Sequence, residues 1–375
     1  MKFIKVSKTS KQNYVAGGSK NIDPGLFEFV RTFVLFAISA ITILSIDAGK
    51  CHALEIIGAG STFVYPLYMK WAEMYKAETG INIQYEPLGS GDSIDFVRSD
   101  RVQFAVSEIP LSHEALKSQQ LIQWPQLISG VVCIFNLDIA KTRPFILDGA
   151  SLAKIYLGEI SHWNDPEIQK LNPNITLPNT LITPVYRMGK SGTNFVFADY
   201  LAEASEHWRS RFPDNTSILW PVGAAEKGNE GVENKVKSTK GSIGFVSYSH
   251  AGAKHLSYAL HVNRDGAIVK PNPESFYASA QNVDLINPSE FHGPMTNERG
   301  LSSWPIVAVS YVIMKNPGKK SAAIDESVKF FEWTLVKGQK TANRLGYVYP
   351  PDQFISEIRN NWRNLKSDDS DSGVK

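Results

Sequence analysis

Residues 186–197, YRMGKSGTNFVF, set an arginine, a lysine and several hydroxyl and amide side chains around two glycines, just ahead of an apolar helical pattern. Arg187, at the end of a strand-like run, offers a planar fork of donors. Ser191 and Thr193 add hydroxyls, and Gly192 lets a ligand approach the backbone closely. Such a set of donors suits an oxyanion. Three further turns have the same character: GAGSTF (58–63), LGSGDS (88–93) and VSEIPLS (106–112). In each, small or hydroxyl residues stand where a strand ends and a helix begins, where the free N–H groups of a helix N-terminus favour an anion. Any one of these turns taken alone is more often an ordinary helix cap than a site. Four of them with one arginine bring an anion site level with capping as the explanation.

Other chemistry suggested by short motifs fails on spacing. PVYRMGKS ends like a nucleotide-binding P-loop, but Pro184 stands where the first glycine is required. GAGSTF opens like a dinucleotide fingerprint, yet its sixth position is Phe63. Ser151 and Lys154 match S-x-x-K, and Lys190-Ser191-Gly192 matches the K-T-G type of box. The two lie too close together, the second leads into a helix, and no S-D-N element separates them, so Ser151 reads as a helix cap. His250 and His255 miss the i, i+4 pairing, and with no Cys/His cluster no metal or cofactor is expected.

The elements that must position these turns alternate. From Leu54 the chain runs LEII, then the helical YPLYMKWAEMYKAETG with Leu67, Trp71, Met74 and Tyr75 on one face and Gly80 as its stop. A strand INIQYEPLG, a short helix from Ser93, a strand VQFAVSE, a helical piece near Leu111 to Leu116 and the strand ISGVVCIFN follow. Further on come ASLAKIYLG, LITPVYR, SIGFVSYS and WPIVAVSYVIM, with a helical end in ESVKFFEWTLVKGQKTANRLG and PDQFISEIRNNW. This rhythm is that of an α/β protein with an open, largely parallel sheet and helices on both faces.

With 375 residues and 43% hydrophobic composition, the chain has enough material for two lobes. A net charge of +2 without a basic block argues against nucleic acid as a partner. The 14-residue apolar run FVLFAISAITILSI (33–46), preceded by Arg31 and five lysines, suits a signal segment better than a membrane span of about 20 residues. Small residues around Cys51-His52-Ala53 place cleavage after Ala53, with an uncleaved anchor as the alternative. Cleavage removes seven of the 39 Lys/Arg and three of the 37 Asp/Glu, leaving 32 against 34 and a formal charge of −2. Any anion site must then be local. Cys133 is left alone, so a large core rather than a disulfide must stabilise the exported chain.

Taken in order, GAGSTFVYPLYMKWAEMY, FAVSEIPLS, LDGASLAKIYLGEISHWNDPEI, RMGKSGTNFVFADYL, KGSIGFVSY and FFEWTLVKGQKTANRLGY resemble the periplasmic phosphate-binding proteins of high-affinity phosphate ABC transporters. The likeness spans nearly all of the chain after residue 53. It implies a type II periplasmic binding fold, with two α/β lobes of open, mostly parallel sheets joined by two hinge crossings. By analogy the crossings fall near Asn136 and Pro305. Lobe one would comprise 54–136 and 306–375, with a disordered tail after about residue 366, and lobe two 137–305.

The resemblance also implies a ligand, inorganic phosphate, held in the interlobe cleft. Its contacts would be the hydroxyl and backbone of Thr62, the N–H of Phe63, then Ser90, Arg187, Ser191, Gly192 and Thr193. Where the family has an aspartate that accepts a hydrogen bond from a proton carried by the ligand, this chain has Glu108, one methylene longer. Where the family has an acidic residue two places after the arginine, this chain has Gly189, with Lys190 following. The implied protein is a periplasmic monomer, not an enzyme, that delivers phosphate to a membrane ABC permease. Two other readings stay open: an exported interaction or adhesion protein on the same scaffold, and a phosphoryl or acyl transfer enzyme using Ser151, Lys154 and Lys190.

Overall fold

The structure is a computed structural model that describes residues 55–139, 143–253, 256–282, 293, 295–316 and 321–366. The apolar run 33–46, the expected cleavage after Ala53 and the tail beyond residue 366 lie outside the described residues.

The first stretch is β1 (Glu55–Gly60), α1 (Tyr65–Thr79), β2 (Asn82–Glu86), α2 (Ser90–Arg98), β3 (Phe104–Ser107) and α3 (His113–Ser118). β1 pairs in parallel with both β2 and β3. Helix α1 buries Leu67, Tyr68, Trp71 and Tyr75, an i, i+4 stripe, while Met74 stays partly exposed. Gly80, at φ +78°, ends it by donating its N–H to the Lys76 carbonyl. Helix α2 starts at Ser90, a turn earlier than the expected Ser93, because Gly89 at φ +107° already breaks the preceding strand direction.

Next come the long β4 (Leu121–Phe135), β5 (Ile146–Leu147), α4 (Gly149–Leu157), α5 (Pro166–Leu171), β6 (Thr183–Arg187), α6 (Gly192–Ala204) and α7 (Glu206–Arg211). They are followed by β7 (Ala224–Glu226), α8 (Gly228–Ser238), β8 (Ser242–Ser247), α9 (Tyr248–Ala253), β9 (Leu260–Val262), β10 (Ile268–Val269) and α10 (Pro273–Asn282). The chain closes with β11 (Met295–Thr296), β12 (Ile306–Lys315), α11 (Ala322–Val336), α12 (Gln339–Arg344) and α13 (Asp352–Lys366).

The main sheet has the order β2-β1-β3-β12-β4-β8-β6-β7, with β11 beside β12. Its two wings, β2-β1-β3 and β8-β6-β7, are internally parallel. The centre is antiparallel, since β12 runs against β3 and β4, and β4 against β8. The reason is directional: β4 carries the chain out of the first wing and β12 brings it back. Along β4, Leu121 to Gly130 pair with β12 and Val131 to Phe135 with β8, so a single strand serves both wings. Both central strands are buried almost throughout, and their near-continuous apolar sequences follow from that.

Each wing has its own aromatic packing. In the first, Tyr68, Tyr85, Phe104 and Phe330 pack as a run, with Phe331 edge-on to Phe104. In the second, Phe197 stacks on Phe245 at 4.0 Å, and Tyr156 meets both edge-on. Burial of each such ring is worth roughly 1.5–3 kcal/mol. The wings are thereby rigid platforms whose strand ends hold the polar turns.

Candidate functional site

The turn after β1 depends on Gly60, at φ +138°, where a Cβ would fall 2.1 Å from the Val106 carbonyl oxygen. With only hydrogen there, Ser61 donates its N–H to that carbonyl (2.8 Å), and Gly89 donates its N–H to the Gly60 carbonyl (2.8 Å). The first three turns are thus stapled into one floor.

Glu108 lies on this floor, 1% exposed. Its Oε2 accepts from the hydroxyls of Ser61 (2.5 Å) and Ser90 (2.9 Å), and its Oε1 from Ser310 (2.9 Å). Burial pushes its pKa up from the usual carboxylate range, opposed by the three hydroxyls and by the positive charge of Arg187. At Gly192 a Cβ would stand 2.3 Å from Glu108 Oε2 and 2.5 Å from Ser90 Oγ. The start of α6 therefore rests against the carboxylate, and only glycine fits.

Arg187 ends β6 and is 6% exposed. Asn194 clamps its backbone, accepting the Arg187 N–H (3.1 Å) and donating to the Arg187 carbonyl (2.6 Å). Arg187 Nη1 donates to the hydroxyls of Thr62 (3.1 Å) and Thr193 (3.4 Å), while its Nε is buried without a partner among the described residues. Burial lowers its pKa to about 10, with Glu108 acting the other way, so the side chain is cationic at neutral pH. A buried cation with an unused donor is costly unless an anion fills the place. Thr62, reached by Arg187 from the opposite wing, also accepts from Nδ2 of Asn229 (3.0 Å). Thr62, Arg187 and Asn229 line a cavity of about 530 Å³ together with Tyr65 and the exposed Met188 and Lys190.

The expected site residues fall into two joined groups. Thr62, Arg187 and Thr193 share hydrogen bonds, and Ser90, Glu108 and Gly192 touch one another, with the Arg187–Glu108 field linking the two. Two residues are engaged elsewhere. Ser191 caps α6, its Oγ accepting the Asn194 N–H (3.3 Å), and Phe63 gives its N–H to Ser61 Oγ (3.0 Å). Gly189 sits at φ +73°, a left-handed turn that an acidic side chain would strain, so its glycine answers a backbone need.

Ser61, Ser310 and Asn229 were not among the expected site residues. Ser61 lies inside a turn already suspect. Asn229 belongs to a fifth strand-to-helix turn of the same kind, EKGNEG between β7 and α8. Ser310 is a lone serine in a largely apolar strand, beside a register shift, and its hydroxyl donates to Glu108.

Of the three residues that suggested an enzyme, Ser151 and Lys154 are engaged in the scaffold, while Lys190 is exposed and lines the cavity. Ser151 is not the N-cap of α4 but its third residue, paired reciprocally with the capping Asp148. Lys154 meets Glu167 at 2.5 Å on the surface. Among the described residues, no group of three or more His, Cys, Asp or Glu could hold a metal ion.

Residues 45–336 match the model of the PBP superfamily domain. The chain is 39% identical over 316 residues to the phosphate-binding protein PstS of Xylella fastidiosa, covering 84% of this chain and 87% of that protein. It is 37% identical over 312 residues to PstS of Haemophilus influenzae, covering 83% and 93%. Among solved structures, one of a high affinity periplasmic phosphate-binding protein bound with phosphate aligns with a TM-score of 0.64 at 18% identity, covering 82% of this chain and 93% of that one. A phosphate ABC transporter substrate-binding protein from Clostridium perfringens aligns with a TM-score of 0.56 at 18% identity, covering 79% and 99%. At such identities the solved structures speak for the shared fold alone.

Proposed function

This chain belongs to the PstS family of phosphate-binding proteins within the PBP superfamily, and from that premise we propose that it is an exported receptor that encloses inorganic phosphate between the wings of its sheet. The observation that carries this reading is Arg187, a buried guanidinium with an unpartnered Nε, flanked by the hydroxyls of Thr62 and Thr193. The ligand set is Thr62, Phe63, Ser90, Glu108, Arg187, Ser191, Gly192 and Thr193. To serve it, Phe63 gives up its bond to Ser61, and Ser191 turns its free hydroxyl hydrogen inward.

The wings act as lobes, 54–136 with 306–375 and 137–305. Ligand contacts from both favour the closed form by differential affinity. The receptor works in the periplasm as a monomer and hands phosphate to a membrane ABC permease. Its chemistry is binding rather than turnover. Glu108 sets the selectivity, because a buried carboxylate tolerates an oxyanion beside it only when a proton lies between them. Sulfate, fully ionised, lacks that proton, and an unpaired buried acceptor costs on the order of 1–3 kcal/mol.

Calorimetric titration of the protein with phosphate and then sulfate tests the reading. Phosphate is expected to bind and sulfate not. Equal binding of both overturns the selectivity, and absence of phosphate binding overturns the function.

A further inference from the structure

Asn229 is fully buried, lies outside the expected ligand set, and lines the cavity at the second residue of α8. Its amide orientation is fixed by chemistry. The Ser247 N–H can only donate, and it meets Asn229 Oδ1 at 3.1 Å, so the Nδ2 group must face Thr62 Oγ1, 3.0 Å away. The second donor to that oxygen, Arg187 Nη1 at 3.1 Å, is a guanidinium and likewise donates only. A hydroxyl oxygen has two acceptor positions and one hydrogen. Both acceptor positions of Thr62 are filled by groups from the opposite wing, and its hydrogen finds no acceptor among the described residues.

We infer that Asn229 is a positioning residue that locks the polarity of Thr62, so that this hydroxyl only donates into the cavity. This rests on the phosphate reading of the site and deepens it. At the Thr62 end the ligand must present an unprotonated oxygen, whereas at the Glu108 end it must present a proton. The two ends together fix which oxygen of a partly protonated phosphate lies where. A role confined to holding α8 would not act through the Thr62 hydroxyl.

The test is a double-mutant cycle on the full chain, with phosphate affinity measured by calorimetry. Asn229→Ala is expected to weaken binding about tenfold or more, as loss of a hydrogen bond to a charged ligand does. In a Thr62→Val background the same change should cost nothing further. Asn229→Asp keeps the acceptor for Ser247 and covers the case in which the alanine variant folds poorly. Near neutral pH the introduced carboxylate should take the Thr62 hydrogen for itself and abolish phosphate binding. As pH falls through the carboxylate range the introduced group becomes a protonated mimic of the amide, so affinity should recover relative to wild type at the same pH. Additive losses in the cycle, or an Asn229→Asp deficit that does not change with pH, overturn the inference while leaving phosphate binding intact. Failure of wild type to bind phosphate overturns the reading of the site itself, and this inference with it.

Discussion

Glu108 keeps three serine hydroxyls to itself while fully buried, so its protonation governs what can stand beside it. Its folded pKa is raised above that of the unfolded chain, mainly by burial. The stability this contributes is complete below the ordinary carboxylate pKa of about 4.3 and is lost as pH rises through the folded value. Glu108→Gln should flatten that decline in denaturant titrations of the ligand-free protein between acid and neutral pH. The same variant should admit sulfate, which competition calorimetry would detect. Arg187→Ala removes donors worth about 1.5–3 kcal/mol each to a charged acceptor, so phosphate affinity should fall on the order of a hundredfold. An unchanged dissociation constant would contradict its place in the site. Arg187 was legible from sequence as a donor at a strand end ahead of a polar turn, whereas Thr62 and Glu108 were singled out by the family resemblance. Ser310 was not, because a serine within an apolar strand is silent until the register decides which way it faces.

The elements themselves were mostly readable from periodicity, and the departures have local causes. The expected cap Ser151 yields to Asp148, whose carboxylate accepts the Ser151 N–H at 2.8 Å. The largely parallel sheet that was expected is interrupted at β4 and β12, whose antiparallel pairing periodicity could not locate because it carries no information about strand direction. One element brings a liability. His261 on β9 is fully buried between Tyr200 and Trp304, and neither ring nitrogen has a partner among the described residues. Burial lowers its pKa from 6.5 to about 3. The unfolded chain therefore takes up this proton first, and stability present above pH 6.5 drains as pH falls towards the folded value. His261→Phe should recover about 2 kcal/mol near pH 5, with little change above neutrality, as unfolding curves at the two pH values would register.

At the scale of the molecule, the wings meet through Thr62 with Arg187 and Asn229, and through the Gly91 N–H, which donates to the Lys190 carbonyl at 3.1 Å. A Cβ on Gly91 would stand 2.4 Å from Lys190 Cβ, so this glycine allows the close approach at the cleft mouth. Gly91→Val should hold the mouth apart. The expected result is weaker phosphate binding and a smaller ligand-induced compaction in small-angle scattering, with the unliganded melting temperature unchanged. The sequence by itself determined the α/β rhythm, the polar turns with their hydroxyls and guanidinium, and the family to which the chain belongs. The first two are written in short-range spacing, and the family in the order of several segments along the chain. Only the tertiary structure decided that Arg187 would lean on a threonine 125 positions away, that Ser310 would hold Glu108 across 202, and that Asn229 would complete the Thr62 shell across 167. Such pairings are set by sheet order and strand direction, which arise from how whole wings bury their faces and leave no local trace in the chain.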